Sequence, residues 1–279
     1  MKTDPQTRTP EGIAARYALA QSIARHAGQQ ALDMFRHRDQ LVIESKGLQD
    51  MVSAADRDTE LTIRAQVLAR FAEDGFLGEE GGLDRPDAAY LWVIDPIDGT
   101  ACFVNGMHAW CLSIAVMHAG QAVIGVVFDP NSDEMFHACA GQGAFVNQQP
   151  LRAHGASRVS DGVLGVGFSH RVPVSAFVPF LDRLLSDGGM FIRNGSGALM
   201  LSYVAAGRLI GYYEPHINSW DCLAAIVLVR EAGGEVNDFL ADNGLHDGNP
   251  IIAAGPHLYA TLLELIAPPA GSVQVEGGP

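Results

Sequence analysis

Leu91-Trp92-Val93-Ile94-Asp95-Pro96-Ile97-Asp98-Gly99-Thr100 is a run of four apolar residues that meets two aspartates in a turn. The apolar run predicts a short buried strand. Pro96 fixes its own φ and donates no hydrogen bond, so the strand is expected to stop there. Gly99 accepts backbone angles closed to other residues and lets a ligand approach the main chain. The product is two carboxylates, a sharp turn and an exposed Gly-Thr amide pair at a strand end. Hard divalent cations take oxygen ligands, and two acids three residues apart can share or bridge them. Asp-Pro and Asp-Gly are also common turn formers, so this stretch alone leaves both readings open.

Upstream, Phe76-Leu77 is a brief strand that enters a glycine-rich loop carrying Glu79 and Glu80. Before it come two helices. The first follows a cap at Thr9 with Pro10 at its first position, and Ile13, Tyr17, Ala20, Ala24, Ala27, Ala31 and Phe35 recur at helical spacing. Its small residues predict close packing. A short strand over 41–44 and a second helix opened by Ser53 or Asp56 complete the N-terminal part. Downstream, 112–117 and 122–128 read as a hairpin, and 134–138 and 143–146 extend an antiparallel sheet. The second half alternates: strands at 163–166, 190–192, 209–213 and 251–254, helices at 174–185, 196–206, 219–232 and 257–266. Alternation of this kind predicts α/β layering. The division expected is an N-terminal α+β part over 1–150, a C-terminal α/β part over 151–267, and a flexible Pro- and Gly-rich tail over 268–279.

Composition narrows the function. The chain has 279 residues, 48% of them hydrophobic, enough for a large core. Its 32 acidic and 18 basic residues leave a net charge of −14, which argues against general binding of nucleic acid or anionic membranes. A small phosphorylated substrate stays compatible, because bound cations invert the local field. Four cysteines without CxxC or zinc spacing read as reduced thiols of a cytoplasmic protein. The polar first ten residues lack a signal-peptide core, and no apolar run approaches the roughly 20 residues of a membrane helix.

Acids stand at the ends of several predicted elements: Asp56, Glu79, Asp95, Asp98 and Asp221. Singly, each has a plain explanation; a helix dipole, for one, favours acids at Asp56 and Asp221. Jointly they form an ordered set. Gly78-Glu79-Glu80, then Trp92 to Thr100, then Trp220-Asp221 with Glu231-Ala232-Gly233-Gly234 behind it, resembles the inositol monophosphatase family, metal-dependent and lithium-sensitive phosphatases.

The resemblance runs from the first helix to about Ile266. It implies a layered α-β-α-β-α sandwich of the inositol monophosphatase and fructose-1,6-bisphosphatase type. It implies hydrolysis of a small polyol or sugar phosphate, inositol monophosphate first, by direct attack of metal-activated water. Glu79, Asp95 and the Ile97 carbonyl would hold one Mg²⁺, and Asp95, Asp98 and Asp221 a second. A third ion by Glu79 would bring the set to about two to three, as multi-metal phosphoryl sites use. Thr100 and Asp56 would orient or deprotonate the attacking water, with Glu79 beside them. The Gly99 and Thr100 amides would receive the phosphate. The Gly197 amide and Glu214 would meet the substrate's hydroxyls, with Asp98 and Asp221 alongside, and Lys46 would lie near the third metal's water.

His216 and Asn218 are expected to shape the leaving-group side. Histidinol phosphate, a 3′,5′-bisphosphate nucleotide and fructose 1,6-bisphosphate are rival substrates. A non-catalytic partner of a transcription complex is a rival of another class. A homodimer is implied, and the apolar hairpin strands are a candidate interface.

Overall fold

The computed structural model describes residues 10–40, 43–47 and 50–267, and among these the side chains of all but 10, 11, 43–47 and 50–53. Thr9, the tail from 268 and the Lys46 side chain lie outside the described residues. The N-terminal part runs α1 (Pro10–Arg36), β1 (Ile43–Gly47), β2 (Asp50–Ser53), α2 (Ala54–Arg70), β3 (Gly75–Gly78), β4 (Gly82–Asp84), β5 (Tyr90–Asp98) and α3 (Thr100–Val104). Then follow β6 (Cys111–His118), β7 (Gln121–Asp129), β8 (Glu134–Cys139), β9 (Ala144–Val146) and β10 (Gln149–Pro150). The rest comprises β11 (Val163–Val166), α4 (Val174–Ser186), β12 (Met190–Ile192), α5 (Gly197–Ala205), β13 (Gly211–Ile217) and α6 (Ser219–Glu231). It ends with β14 (Glu235–Val236), α7 (Gly244–Asp247), β15 (Asn249–Ala254) and α8 (Tyr259–Ile266).

These elements stack as α-β-α-β-α. An eight-stranded sheet, ordered β10-β9-β8-β7-β6-β5-β3-β4, is antiparallel except where β3 runs parallel to β5. Helices α1 and α2 cover its outer face. Helices α5 and α6 lie between it and a five-stranded sheet, β12-β11-β13-β15-β14, whose far face carries α4 and α8. Helix α6 is buried at every residue from Cys222 to Val229, as a helix pressed between two sheets must be. The fit is close: a Cβ on Gly125 of β7 would fall 2.0 Å from the Ala224 carbonyl oxygen of α6. The small-residue face of α1 packs likewise, since a Cβ on Gly28 would meet the Phe128 ring at 2.5 Å.

A buried ion pair fastens α1 to the sheet. Arg16 donates Nε to Asp74 Oδ2 at 2.7 Å and Nη2 to Oδ1 at 2.6 Å, and Trp92 Nε1 donates to the same Oδ2 at 2.8 Å. The guanidinium lies 4.0 and 3.6 Å from the Phe71 and Tyr90 ring centroids.

The hairpin β6–β7 does not offer a partner surface. It occupies the middle of the large sheet with α1 on one face and α6 on the other, and its strands are buried along most of their length. Exposed apolar side chains gather instead on α4 and the edge strand β12, at Val174, Val178, Leu185, Met190, Phe191 and Ile192. All four cysteines are buried and free. Among the described residues, no helix is long and apolar enough to cross a membrane.

Candidate active site

Strand β5 does not stop at Pro96; it continues to Asp98 through a bulge. Asp95 pairs with Ser113 and Asp98 with Cys111, so three steps on β5 match two on β6. Residues three apart in a regular strand point to opposite faces. The extra residue restores both aspartates to one face. Pro96, which has no N–H to offer the ladder, sits within the bulge, and the freed Ile97 amide donates to Asp95 Oδ1 at 2.9 Å.

Gly99 ends the strand at φ +97°, and a Cβ there would press to 2.7 Å from the Ala109 carbonyl oxygen. Chain reversal delivers Thr100 to the start of α3, a helix too short to leave a periodic signal. Thr100 Oγ1 lies 3.1 Å from both Asp56 Oδ1 and the Ile97 carbonyl oxygen. Asp56, in the first turn of α2, is buried. Thr100, Asp56 and the Ile97 carbonyl, expected respectively at the attacking water and at a metal, therefore meet at the end of β5.

Glu79 follows β3, and its amide donates to the Ile94 carbonyl at 3.2 Å. Its loop is tied down by Glu60 of α2, which accepts from the Glu80 amide at 2.9 Å and the Gly81 amide at 2.7 Å. A Cβ on Gly78 would strike that carboxylate. Glu60 was invisible as a site residue because it sits within an ordinary helical stretch.

Asp221 enters from the first turn of α6. Asn218 caps the helix, and its backbone N and Nδ2 both donate to Asp221 Oδ2, at 3.2 and 3.3 Å. Carboxylate oxygens of Asp95, Asp98 and Asp221 lie within 4.8 Å of one another. Asp98 is held from the opposite side by the start of α5: Ser196 Oγ donates to Oδ2 at 2.5 Å and the Ala198 amide at 2.7 Å. The Gly197 amide also faces this carboxylate. Ser196 carries a signal in retrospect, a serine placed one residue before a helical run.

Charge crowding is expressed in the proton affinities. Burial, then repulsion from Glu79, Asp98 and Asp221, holds Asp95 well above the usual carboxylate range. Asp98 is pushed up to about 7 by burial and by Asp221. Asp221 is raised by burial while its bonds to Asp95 and Asn218 oppose the rise. Such a set titrates as a unit and is relieved by a cation.

A cleft of about 860 Å³ opens above the cluster. Asp98, Asp221, Gly197 and Glu214 line it, together with His216, Asn218, Arg171 and Arg193. Glu79, Asp95, Gly99, Thr100 and Asp56 are not among its lining residues. Glu214 accepts from Tyr212 Oη at 2.6 Å, and burial raises its carboxyl to about 7. His137 is clasped between Tyr17 and the Asn147 carbonyl, and His154 accepts from the Ala156 amide. Cys102 donates its thiol to the Asn194 carbonyl at 3.3 Å.

The five-layered sandwich with an acidic cluster beneath a polar cleft defines a class of α/β proteins whose grouped carboxylates could hold a cation. A sequence model of the inositol monophosphatase family matches residues 14–269, and the chain belongs to that family. It is similar to the Nus factor SuhB of Haemophilus influenzae, with 36% identity covering 91% of this chain and 96% of the relative. It is also similar to the inositol-1-monophosphatase of Mesorhizobium japonicum, with 35% identity covering 88% and 94%. The crystal structure of the extragenic suppressor protein suhB from Bartonella henselae superposes with a TM-score of 0.86 at 32% identity, covering 93% of this chain and 100% of that one.

Proposed function

We propose that this protein is a Mg²⁺-dependent phosphomonoesterase acting on a small polyol or sugar phosphate, with inositol monophosphate the first substrate to test. The observation that carries the reading is the trio Asp95, Asp98 and Asp221, with carboxylate oxygens within 4.8 Å of one another and Asp98 and Asp221 lining the cleft. Buried carboxylates this close repel one another, and an all-oxygen donor set suits a hard divalent cation. With Glu79 and the Ile97 carbonyl, they would hold about two to three Mg²⁺ ions, as phosphoryl-transfer sites commonly do. Bound ions would neutralise the phosphoryl oxygens, lower the pKa of the attacking water and stabilise the leaving alkoxide.

The chain's own groups do the rest. Thr100 and Asp56 orient the water and draw off its proton. The Gly99 and Thr100 amides face the phosphate. Glu214, held by Tyr212, accepts from substrate hydroxyls, and the Gly197 amide braces Asp98 beside them. Water's oxygen forms the new bond to phosphorus as the bond to the alcohol breaks, and the alcohol leaves with a proton. The test is phosphate release from inositol monophosphate and a panel of sugar and polyol monoesters, with and without Mg²⁺ and Li⁺. Failure to release phosphate from every ester in the presence of Mg²⁺ would sink the reading.

The name of the Haemophilus relative supports a second reading, a role in a transcription complex that does not need catalysis. A complex with RNA polymerase that survives Asp95→Asn would favour it. A homodimer is proposed too, and the exposed apolar residues of α4 and β12 support it better than the hairpin does.

A further inference from the structure

Strand β6 alternates between two layers. Leu112, Ile114 and Val116 pack in the cluster shared with α1, while Cys111, Ala115 and Met117 pack in the one shared with α6. Ser113 has the parity of the second set and is wholly buried, one hydroxyl on an otherwise apolar face. Leu91 and Val93 of β5 belong to that α6-facing cluster, so Asp95 shares the face, and Ser113 is its direct partner across the strand pair.

Helix α6 rests on this face through two carbonyls one turn apart. Ser113 Oγ donates to the Trp220 carbonyl at 2.9 Å, and the Ala224 carbonyl oxygen lies over Gly125, the β7 partner of Ala115. The Gly125 contact sets how near the helix comes. The Ser113 bond, being directional, sets how its first turn is held. The carbonyl it holds belongs to the peptide that links Trp220 to Asp221.

Two clustered carboxylates therefore meet at one side chain. Asp95 faces Ser113 within the sheet, and Asp221 hangs from the peptide that Ser113 holds. Asp95 is fixed by strand pairing, whereas Asp221 rides on a helix end, where intrahelical support is least. Ser219 Oγ ties the same turn to the Leu245 carbonyl at 2.7 Å on its other side, and Ser113 supplies the tie to the large sheet. A buried serine can also do no more than satisfy its own hydroxyl. Ser202 does so, donating to the Ala198 carbonyl of its own helix at 2.7 Å.

We propose that Ser113 is a positioning residue that sets the spacing of Asp221 from Asp95 and, through it, the cation that the cluster prefers. The inference rests on the cation-binding part of the reading above and adds a residue to it. Mg²⁺ demands nearly octahedral oxygen ligands at about 2.0–2.1 Å, whereas Ca²⁺ accepts irregular ones at about 2.3–2.6 Å. With the tie in place, the two carboxylates stay close enough for the smaller ion. Without it the first turn of α6 is free to lift, which penalises Mg²⁺ more than Ca²⁺.

The test titrates metal-stripped protein with Mg²⁺ and, separately, with Ca²⁺, and reads the concentration that gives half of the full rise in Tm. In Ser113→Ala the Mg²⁺ midpoint should rise about tenfold, as loss of an outer-shell partner does, and the Ca²⁺ midpoint by no more than about threefold. Ser113→Thr keeps the hydroxyl on a β-branched side chain suited to a strand, and both midpoints should return to within about twofold of the parent. Ser113→Cys, of nearly the same size but a weak donor, should raise the Mg²⁺ midpoint about threefold, and carries the comparison if Ser113→Ala does not fold. Ser202→Ala deletes a buried serine–carbonyl bond that joins no two elements; it should lower Tm and leave both midpoints within about twofold. Mg²⁺ and Ca²⁺ midpoints that move together or not at all, or a shift matched by Ser202→Ala, overturn the positioning role and leave the cation site standing. No rise in Tm with either ion in the parent overturns both. Phosphate release plays no part in this readout, so the ion-specific shift in a protein that cleaves no ester would sink the phosphatase reading alone.

Discussion

Ser196 Oγ donates to Asp98 Oδ2 at 2.5 Å while accepting from the Leu199 amide at 3.1 Å, so one hydroxyl both caps α5 and fixes a candidate metal ligand. Ser196→Ala removes both services. The lost cap should cost about 1 kcal/mol, visible as a lower Tm. Loss of an outer-shell partner should weaken Mg²⁺ by about 10- to 100-fold, read from the Mg²⁺ dependence of phosphate release. A variant with normal Mg²⁺ dependence would separate the cap from the site.

Asp95→Asn keeps the shape and deletes the charge that Glu79, Asp98 and Asp221 all oppose. Phosphate release should drop at least about 100-fold, beyond the usual outer-shell effect. In chelator the variant should be no less stable than the parent, because like-charge repulsion is relieved. Mg²⁺ should no longer raise its Tm. A persistent Mg²⁺-induced rise would place the ion elsewhere.

The raised Asp98 predicts an unusual pH response in chelator. Its carboxyl goes from an ordinary 3.8 to about 7 in the folded protein. Between those values the folded state keeps a proton that the unfolded chain releases, so stability is greatest on the acid side and declines as pH rises through that window. Mg²⁺ should reverse the trend, since it binds the ionised form. Thermal melts from pH 5 to 8, with EDTA and with Mg²⁺, read both slopes; parallel slopes would contradict the assignment.

Asp74→Ala strands the Arg16 guanidinium among Phe71, Tyr90 and Trp92. Breaking one side of a buried pair costs about 3–5 kcal/mol. Denaturant midpoints should show the loss. Activity per folded molecule should hold, because this anchor lies on the outer face of the large sheet.

Gly99→Ala tests the turn. At φ +97°, with a carbonyl oxygen 2.7 Å from the new methyl, the substitution is strained, because the backbone alone fixes where that methyl sits. A cost of about 1–3 kcal/mol is expected, together with loss of activity as Thr100 shifts from Asp56. Retained activity with lowered Tm would show that the turn serves folding alone.

The layered fold and the grouping of acids were legible through the resemblance carried by Gly78-Glu79-Glu80, Trp92 to Thr100 and Trp220-Asp221; apolar period, glycine turns and acids at element ends agree with it but do not by themselves select it. The end of β5 was not. Pro96 reads locally as a stop, and only pairing with β6 reveals that the ladder resumes beyond it. Helix α3 and strand β4 are too short for periodicity to register. Ser196, Glu60 and Asn218 were missed as supports because each is defined by a partner distant in sequence or by geometry at a helix end. Arg171 and Arg193 lie in loops, where sequence carries no periodic cue to direction.

The irregularity at Pro96–Ile97 makes chain length itself a specification. Substitutions in this segment can tune charge or size by degrees, but deleting one residue would reverse the parity of the strand and turn one aspartate away from its partners. The floor therefore tolerates replacement more readily than resizing. New selectivity in a protein of this design has to be written into the walls, at the loops that bear Arg171 and Arg193, where insertions leave the parity of β5 untouched.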